Sequence, residues 1–384
     1  MNPAATPRHV GIACGGTGGH VFPGLAVAGE LLARGVAVTV FVSGKDVDRR
    51  AVAGLSGVRV VTLPAVGLAG GRLAAFARGF VAAWRAARRE FAVRPPVAVL
   101  GLGGFTAAPV VLAASRARAL RVLHEANAVP GRANRWLAPR CDLAAVYFPA
   151  ACVRLRCARV EVVGMPVRPA FTPHDPAACR RELGLAPHAP TLLVTGGSQG
   201  ARTLNQAALE ALPALRAAVP GVQLIHLTGP EDEAAVRGAC AAAGVPAFVA
   251  AFFGRMETAL GAADLAVARA GASSLAELAA VGVPAILVPY PFAADDHQRR
   301  NAAEAAATGA VHVVEQRGLD GATFAAAAAG LLGDAAARER LRTGLRAWHT
   351  PGAAAAVAEL VLRPCRGATA AAASSGPRLV ATAA

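Results

Sequence analysis

The chain is 384 residues long, more than one core of ordinary size holds, which argues for two domains. Its residues are 55% hydrophobic but only 5% aromatic, and a formal charge of +15 comes almost wholly from arginine, Lys45 being the only lysine. That charge fits compositional drift or an anionic partner, and because the aromatics do not interleave with the basic residues as base-stacking platforms would require, a nucleic-acid partner is disfavoured.

The first predicted strand is "HVGIAC", which runs into "GGTGGH" at 15–20 and a helix from about Gly24 to Arg34. "VAVTVFV" and "VRVVTL" follow as strands. Between them "DVD" at 46–48 fits the Asp-x-Asp pattern, yet with Arg49 and Arg50 behind it reads as a helix start rather than a metal site. "GRLAAFARGFVAAWRAARREF" predicts an amphipathic helix. Leu73, Phe76, Phe80 and Trp84 recur at three- and four-residue steps beside Arg72, Arg78, Arg85, Arg88 and Arg89, a face suited to a core or to an anionic membrane surface.

"VAVLGLGG", a helix, "LRVLHEAN" and "VEVVG" complete the first series, and the turn-rich "GMPVRPAFTPHDP" marks the connector. A second series then runs "TLLVTGGSQG", "VQLIHLTG", "PAFVAAF", "DLAVARAGAS", "PAILVPYPF" and "AVHVVE", with helical stretches between. The class is α/β, and the alternation predicts two doubly wound parallel sheets, each with helices on both faces. The low-complexity tail at 367–384 is expected to be disordered. Seven cysteines without a Cys-x-x-Cys pair predict reduced thiols, and no apolar run reaches the ~18 residues that a membrane span needs. Both point to a cytoplasmic protein.

Glycine loops between a parallel strand and a helix let backbone N–H groups approach an anion, typically a diphosphate. Two occur here, "GGTGGH" and "GGSQGA" at 196–201, with a third helix start at "RAGASS", 269–274. A dinucleotide-binding oxidoreductase is disfavoured, because Val21 stands where the last glycine of Gly-x-Gly-x-x-Gly belongs and "VAVTVFVSG" ends without an acidic residue. Gly196-Gly197-Ser198-Gln199-Gly200 also fits the nucleophile elbow of an α/β-hydrolase, with Asp264 or Asp295 and His297 or His312 as partners. That reading leaves "GGTGGH" without a task.

Taken in order up to about residue 363, "GGTGGHVFP", "GLGGFTAAP", "HEAN", "GMPVR", "GGSQGA", "ARAGASSLAE" and "DDHQRRNA" resemble the MurG family within glycosyltransferase family 28. The resemblance implies a GT-B fold, two Rossmann-like domains facing a cleft. These would be an acceptor- and membrane-facing domain at 1–165, completed by a C-terminal helix at about 347–366, and a UDP-sugar-binding domain at 166–346. It implies inverting transfer of N-acetylglucosamine from UDP-N-acetylglucosamine to the 4-hydroxyl of the muramoyl sugar of lipid I, giving lipid II in peptidoglycan synthesis. The enzyme would work peripherally on the inner leaflet, without cofactor or metal.

Position by position, the resemblance implies His20 as base, with Glu125 as the alternative base or the group orienting one. It puts the acceptor diphosphate against Gly15, Gly16, Gly103 and Gly104. For the donor it implies Thr17, Gly18, Gly19 and Asn127 from the first domain, Arg168 against the charge on departing UDP, and Ser198 on the diphosphate. Phe253 would read the uracil, Ala272, Ser273, Ser274, Leu275 and Ala276 would lie along the phosphate and sugar, Glu277 would hold the ribose, and His297 and Gln298 the sugar hydroxyls. Ala126, Met165 and Ala270 replace polar residues usual in the family, which predicts altered affinity with the same chemistry. Another lipid or small-molecule acceptor is the alternative, as is a sugar-nucleotide sensor without turnover, for which His20 would be dispensable.

Overall fold

The computed structural model describes residues 8–65, 67, 73–197 and 200–363, so Arg72, Ser198 and the tail at 367–384 lie outside the described residues. The chain divides into two compact units, one running to Arg168 and resuming at Gly352, the other spanning Pro169–Pro351. The changeovers thus fall a few residues after the 165/166 and 346/347 read from sequence. Arg168 still packs in the first unit, its guanidinium 4.8 Å from the centre of the Phe22 ring. Trp348 stays in the second, its indole N–H donating to Thr308 Oγ1 at 2.8 Å.

In the first unit the strands are β1 (His9–Ala13), β2 (Ala37–Ser43), β3 (Val58–Leu63), β4 (Ala98–Gly101), β5 (Leu120–Glu125), β6 (Leu143–Val146) and β7 (Val160–Val162). They pair in parallel in the order β3-β2-β1-β4-β5-β6-β7. β6, only "LAAV", is a strand that sequence alone does not announce. Successive side chains point to opposite faces. Ile12, Val40 and Leu100 therefore meet Val27 and Leu31 of helix Gly18–Ala33, together with Val357, Leu360 and Val361 of helix Ala353–Leu362. Their neighbours Ala13, Phe41 and Val99 face Ala83, Ala87 and Phe91 of helix Leu73–Val93.

The second unit contains β8 (Thr191–Thr195), β9 (Gln223–Leu227), β10 (Ala247–Ala250), β11 (Leu265–Ala268), β12 (Ala285–Leu287) and β13 (His312–Val313). These are also parallel, in the order β10-β9-β8-β11-β12-β13. In both sheets the order reverses once, between β1 and β4 and between β8 and β11. Open α/β sheets bind ligands at that reversal, beyond the carboxyl ends of the strands. The loops leaving those four strands are the glycine-bearing segments at 14–17, 102–104, 196–201 and 269–271.

Two buried histidines brace the sheets. His124 in β5 donates from Nε2 to the Gly164 carbonyl at 3.1 Å, and His226 in β9 donates from Nε2 to Asn205 Oδ1 at 3.0 Å. Burial pushes both down from the ordinary 6.5 to about 4. The unfolded chain therefore binds more protons than the folded one between those values, and stability falls as pH drops from about 6.5 towards about 4. Each histidine contributes roughly 3 kcal/mol to that slope. Thermal melts across this range should show it, and His124→Asn and His226→Asn should each flatten it; variants with the slope of the parent would show that these rings do not carry it.

Candidate active site

At the first reversal, β1 ends in a loop with no room for side chains. A Cβ on Gly15 would lie 2.4 Å from the Ser43 nitrogen, and Gly16 sits at φ +115°, a backbone conformation that favours glycine. Gly16 N–H donates to Asp48 Oδ2 at 2.7 Å, and the same oxygen accepts from Ser43 N–H (2.8 Å) and Ser43 Oγ (2.6 Å). Asp48 is fully buried, and its Oδ1 has no hydrogen-bond partner among the described residues. From the other side Lys45 Nζ donates to the Gly16 carbonyl at 3.0 Å, and Thr106 Oγ1 donates to the Gly15 carbonyl at 2.6 Å. The peptides flanking Gly16 are thereby fixed by three side chains, Asp48 and Lys45 from the segment after β2 and Thr106 from the segment after β4.

The chain enters helix Gly18–Ala33 straight from this loop, six residues earlier than the start near Gly24 read from sequence, with Pro23 inside the helix. His20 consequently stands in the first turn, half-buried. Thr17 Oγ1 lies 3.0 Å from its Nδ1. The opposite wall is Gly103 (φ +102°) and Gly104 (φ +72°) after β4, where a Cβ would lie 3.2 Å from His20 Nε2 and 3.3 Å from its Cε1 and Nδ1 respectively. Glycine is required there on both counts: backbone conformation and room for the imidazole.

Glu125, at the end of β5, is buried with both oxygens engaged. Oε1 accepts from Asn127 N–H (2.8 Å) and Asn127 Nδ2 (3.2 Å), Oε2 from Gly131 N–H (2.9 Å) and Asn134 Nδ2 (2.9 Å). Burial pushes its carboxyl up against the opposing effect of these donors. This is the geometry of a group that shapes the 125–134 loop and holds Asn134, whose amide lies beside Gly103. Ala126 and Met165 are buried apolar residues of the same region.

In the second unit the loop after β8 has two positions with no room for a side chain. A Cβ on Gly196 would lie 2.4 Å from the Ala201 nitrogen, and one on Gly200 (φ +72°) 2.4 Å from the Thr228 carbonyl. After β11, Gly271 caps helix Ala272–Val281, placing Ser273, Ser274 and the half-buried Glu277 in its first two turns. Leu275 and Ala276 turn into the core, and Leu275 N–H bonds Gly271 O within the helix. Asp295 and Asp296 both adopt left-handed backbone (φ +53° and +54°) before helix His297–Ala307, a strained approach of the kind found at functional sites. His297 Nδ1 donates to the Ala294 carbonyl at 2.8 Å, and Gln298 Oε1 accepts from Tyr290 N–H at 3.0 Å. Arg269, which sequence reasoning passed over, holds the same 288–290 loop by donating to the Val288 carbonyl at 3.1 Å. Phe253 is half-buried, edge-on to Phe248 at 5.1 Å between ring centres.

The hydrolase reading loses two of its partners. Asp264 and His312 stand at the amino-terminal ends of β11 and β13, the sheet edge opposite the 196–201 loop. Asp264 is moreover bound to Arg180 (2.8 Å) and Thr191 N–H.

On helix Leu73–Val93, Phe80 and Trp84 pack half-buried against the first unit's core, so the stripe read from sequence is shared with the interior. Leu73 is 66% exposed and Phe76 half-buried, while Arg78, Arg85, Arg88 and Arg89 face solvent. Among the described residues no helix is long and apolar enough to cross a membrane.

The Glycosyltransferase family 28 N-terminal domain matches residues 10–146, and the Glycosyltransferase family 28 C-terminal domain matches residues 191–340. A protein of Rhodospirillum rubrum named UDP-N-acetylglucosamine--N-acetylmuramyl-(pentapeptide) pyrophosphoryl-undecaprenol N-acetylglucosamine transferase is 42% identical, over 92% of this chain and 92% of its own. A protein of the same name from Desulforudis audaxviator is 38% identical, over 91% and 96%. The crystal structure of Acinetobacter baumannii MurG is similar with a TM-score of 0.71 and 29% identity, covering 92% of this chain and 99% of that one. CalG4, the calicheamicin glycosyltransferase, is similar with a TM-score of 0.63 over 93% of this chain and 98% of that one, at 21% identity, a likeness of fold alone.

Of the site residues, Asp48 is the one most easily misread from sequence. Asp48→Ala would strand the N–H groups of Gly16 and Ser43 in a buried place, at a cost of about 2–4 kcal/mol. Denaturant unfolding followed by a probe in the first domain should show that loss, whereas a change within about 0.5 kcal/mol, ordinary for a surface substitution, would place Asp48 outside the loop's support.

Proposed function

The chain belongs to glycosyltransferase family 28, and from that premise we propose that it transfers N-acetylglucosamine from UDP-N-acetylglucosamine to the 4-hydroxyl of the muramoyl sugar of undecaprenyl-diphospho-muramoyl-pentapeptide, lipid I. The observation that carries the assignment is the identity of 38–42% with transferases named for that reaction, over nine-tenths of the chain. Both substrates are diphosphates, which accounts for glycine-bearing loops at the reversal of each sheet.

The second domain holds the donor. Glu277 accepts hydrogen bonds from the ribose hydroxyls, the main chain at Ala272–Ser274 faces the phosphates at a helix N-terminus, Phe253 marks the uracil, and His297 and Gln298 bind the sugar. Leu275 and Ala276 support this helix from the core. In the first domain Gly15, Gly16, Gly103 and Gly104 receive the acceptor's diphosphate, and Thr17, Gly18, Gly19 and Asn127 bind the donor. Arg168 neutralises charge on departing UDP, so no cofactor or metal is needed.

His20 is the base. In the tautomer that donates Nδ1–H to Thr17 Oγ1, 3.0 Å away, the basic atom is Nε2, on the Gly103 side. The acceptor oxygen bonds to the anomeric carbon, the carbon–oxygen bond to UDP breaks with its electron pair leaving on the phosphate, and the hydroxyl proton passes to Nε2. Glu125 keeps the 125–134 loop in place. UDP release from UDP-N-acetylglucosamine and a lipid I analogue, measured with and without a chelator, tests this. His20→Ala should lower kcat by about 10²–10⁴ with donor KM little changed. Equal kcat in parent and variant would remove His20 from the chemistry.

The acceptor's lipid anchors it in a bilayer, and the arginine-bearing face of helix Leu73–Val93 supplies the attraction at the inner leaflet. Each exposed arginine near an anionic surface contributes roughly 1 kcal/mol. Because Phe80 and Trp84 also support the core, the clean variants are Leu73→Asp and Arg78→Glu/Arg85→Glu/Arg88→Glu/Arg89→Glu. Both should reduce co-sedimentation with phosphatidylglycerol vesicles; undiminished binding would assign the membrane contact elsewhere.

A further inference from the structure

The geometry points to Lys45 as the cation that binds the acceptor's diphosphate at the first glycine loop. The inference rests on the function proposed above and adds to it a residue that the glycine motifs themselves do not contain.

A glycine loop offers N–H groups to an anion, but it also carries carbonyls, and a carbonyl oxygen directed at a phosphate repels it. At Gly16 this liability is acute, because its N–H is already donated inward to Asp48 and its carbonyl remains. Lys45 Nζ lies 3.0 Å from that carbonyl oxygen, so a positive charge stands where the carbonyl alone would repel an anion, and it offsets the Asp48 carboxylate on the loop's inner side. An ammonium has three N–H donors, and one is committed to Gly16. The same ammonium stands 5.3 Å from the centre of the Phe105 ring, whose Cε1 would lie 3.0 Å from a Cβ on Gly16. Lys45, Phe105 and the Gly15–Gly16 turn therefore share one spot beyond the carboxyl ends of β1, β2 and β4. Among the described residues Lys45 makes no ion pair, whereas the neighbouring Asp46 is paired to Arg49 and Asp48 is buried beneath the loop.

Composition supplies an independent argument. Of 39 basic residues this is the only lysine, in a chain that uses arginine for every other strong cation. An ammonium is a compact, strongly hydrated point charge that accommodates a phosphate from several directions, whereas guanidinium is a planar fork that prefers fixed bidentate partners. Beside a diphosphate held by backbone groups rather than by a planar partner, the point charge suffices.

The unique lysine also makes the test selective. In the parent enzyme, acetylation by an amine-reactive ester reports on residue 45 alone once the peptide carrying it is quantified by mass spectrometry. A short-chain lipid I analogue should slow that labelling severalfold, and UDP-N-acetylglucosamine alone should not. In steady-state kinetics Lys45→Met should raise the acceptor KM by about tenfold to a hundredfold, as expected for loss of a charge-assisted contact. Its donor KM should stay unchanged, and Lys45→Arg, which keeps the charge, should restore most of the loss. Labelling that is equally fast under saturating analogue overturns the assignment, as does a Lys45→Met enzyme with the parent's acceptor KM. A parent enzyme that releases no UDP with the lipid I analogue would instead overturn the function on which this inference rests.

Discussion

A carboxylate buried in the helical turn that follows the second strand fixes the first domain's glycine loop, and the position of its imidazole follows from that. An acid in such a place is costly unless donors surround it, and Asp48 collects three on one oxygen: two backbone N–H groups and the Ser43 hydroxyl. The arrangement holds Gly16 in a backbone conformation that other residues rarely adopt, and the space under Gly15 admits no Cβ at all. Once the loop is fixed, the helix has to begin at Gly18, and the imidazole of His20 falls against the glycine pair after β4. Position and chemistry are thus linked through a residue that touches neither the histidine nor any substrate.

The second domain reaches a similar end by different means. Its glycine loop is held by the Thr228 segment, which Asn205 ties down by donating to the Thr228 carbonyl and to Asp232 while accepting from His226. Where the first domain places an imidazole beside its loops, the second places Glu277 and two serines in the opening turns of a helix. In the function proposed above, the same doubly wound plan carries a proton acceptor in one half and a nucleotide-sugar cradle in the other. The difference arises from a few side chains at the reversal of each sheet.

Much of this was legible in the sequence, because short β-branched runs ending in glycine are strong signals of parallel strands and their loops. What escaped has physical reasons. Gly18 and Gly19 are poor helix formers and Pro23 looks like a terminator, so the true helix start was hidden by residues chosen for room and backbone approach. "LAAV" is too short and alanine-rich to stand out as a strand. Asp48 looks like any acid in a first helical turn, and only the fold shows that it faces the interior. Phe80 and Trp84 lie on an apolar stripe as expected, but periodicity alone does not say how much of a stripe the core already uses.

The proposed reaction is a single displacement, with one imidazole taking the acceptor's proton while UDP departs. The most direct measurement is the anomeric configuration of the disaccharide made from the α-linked donor, read from the proton coupling of the new linkage by NMR. A β-linked N-acetylglucosamine on the muramoyl 4-oxygen is the result the account predicts. An α-linked product, with the donor's configuration retained, would rule out a single backside displacement.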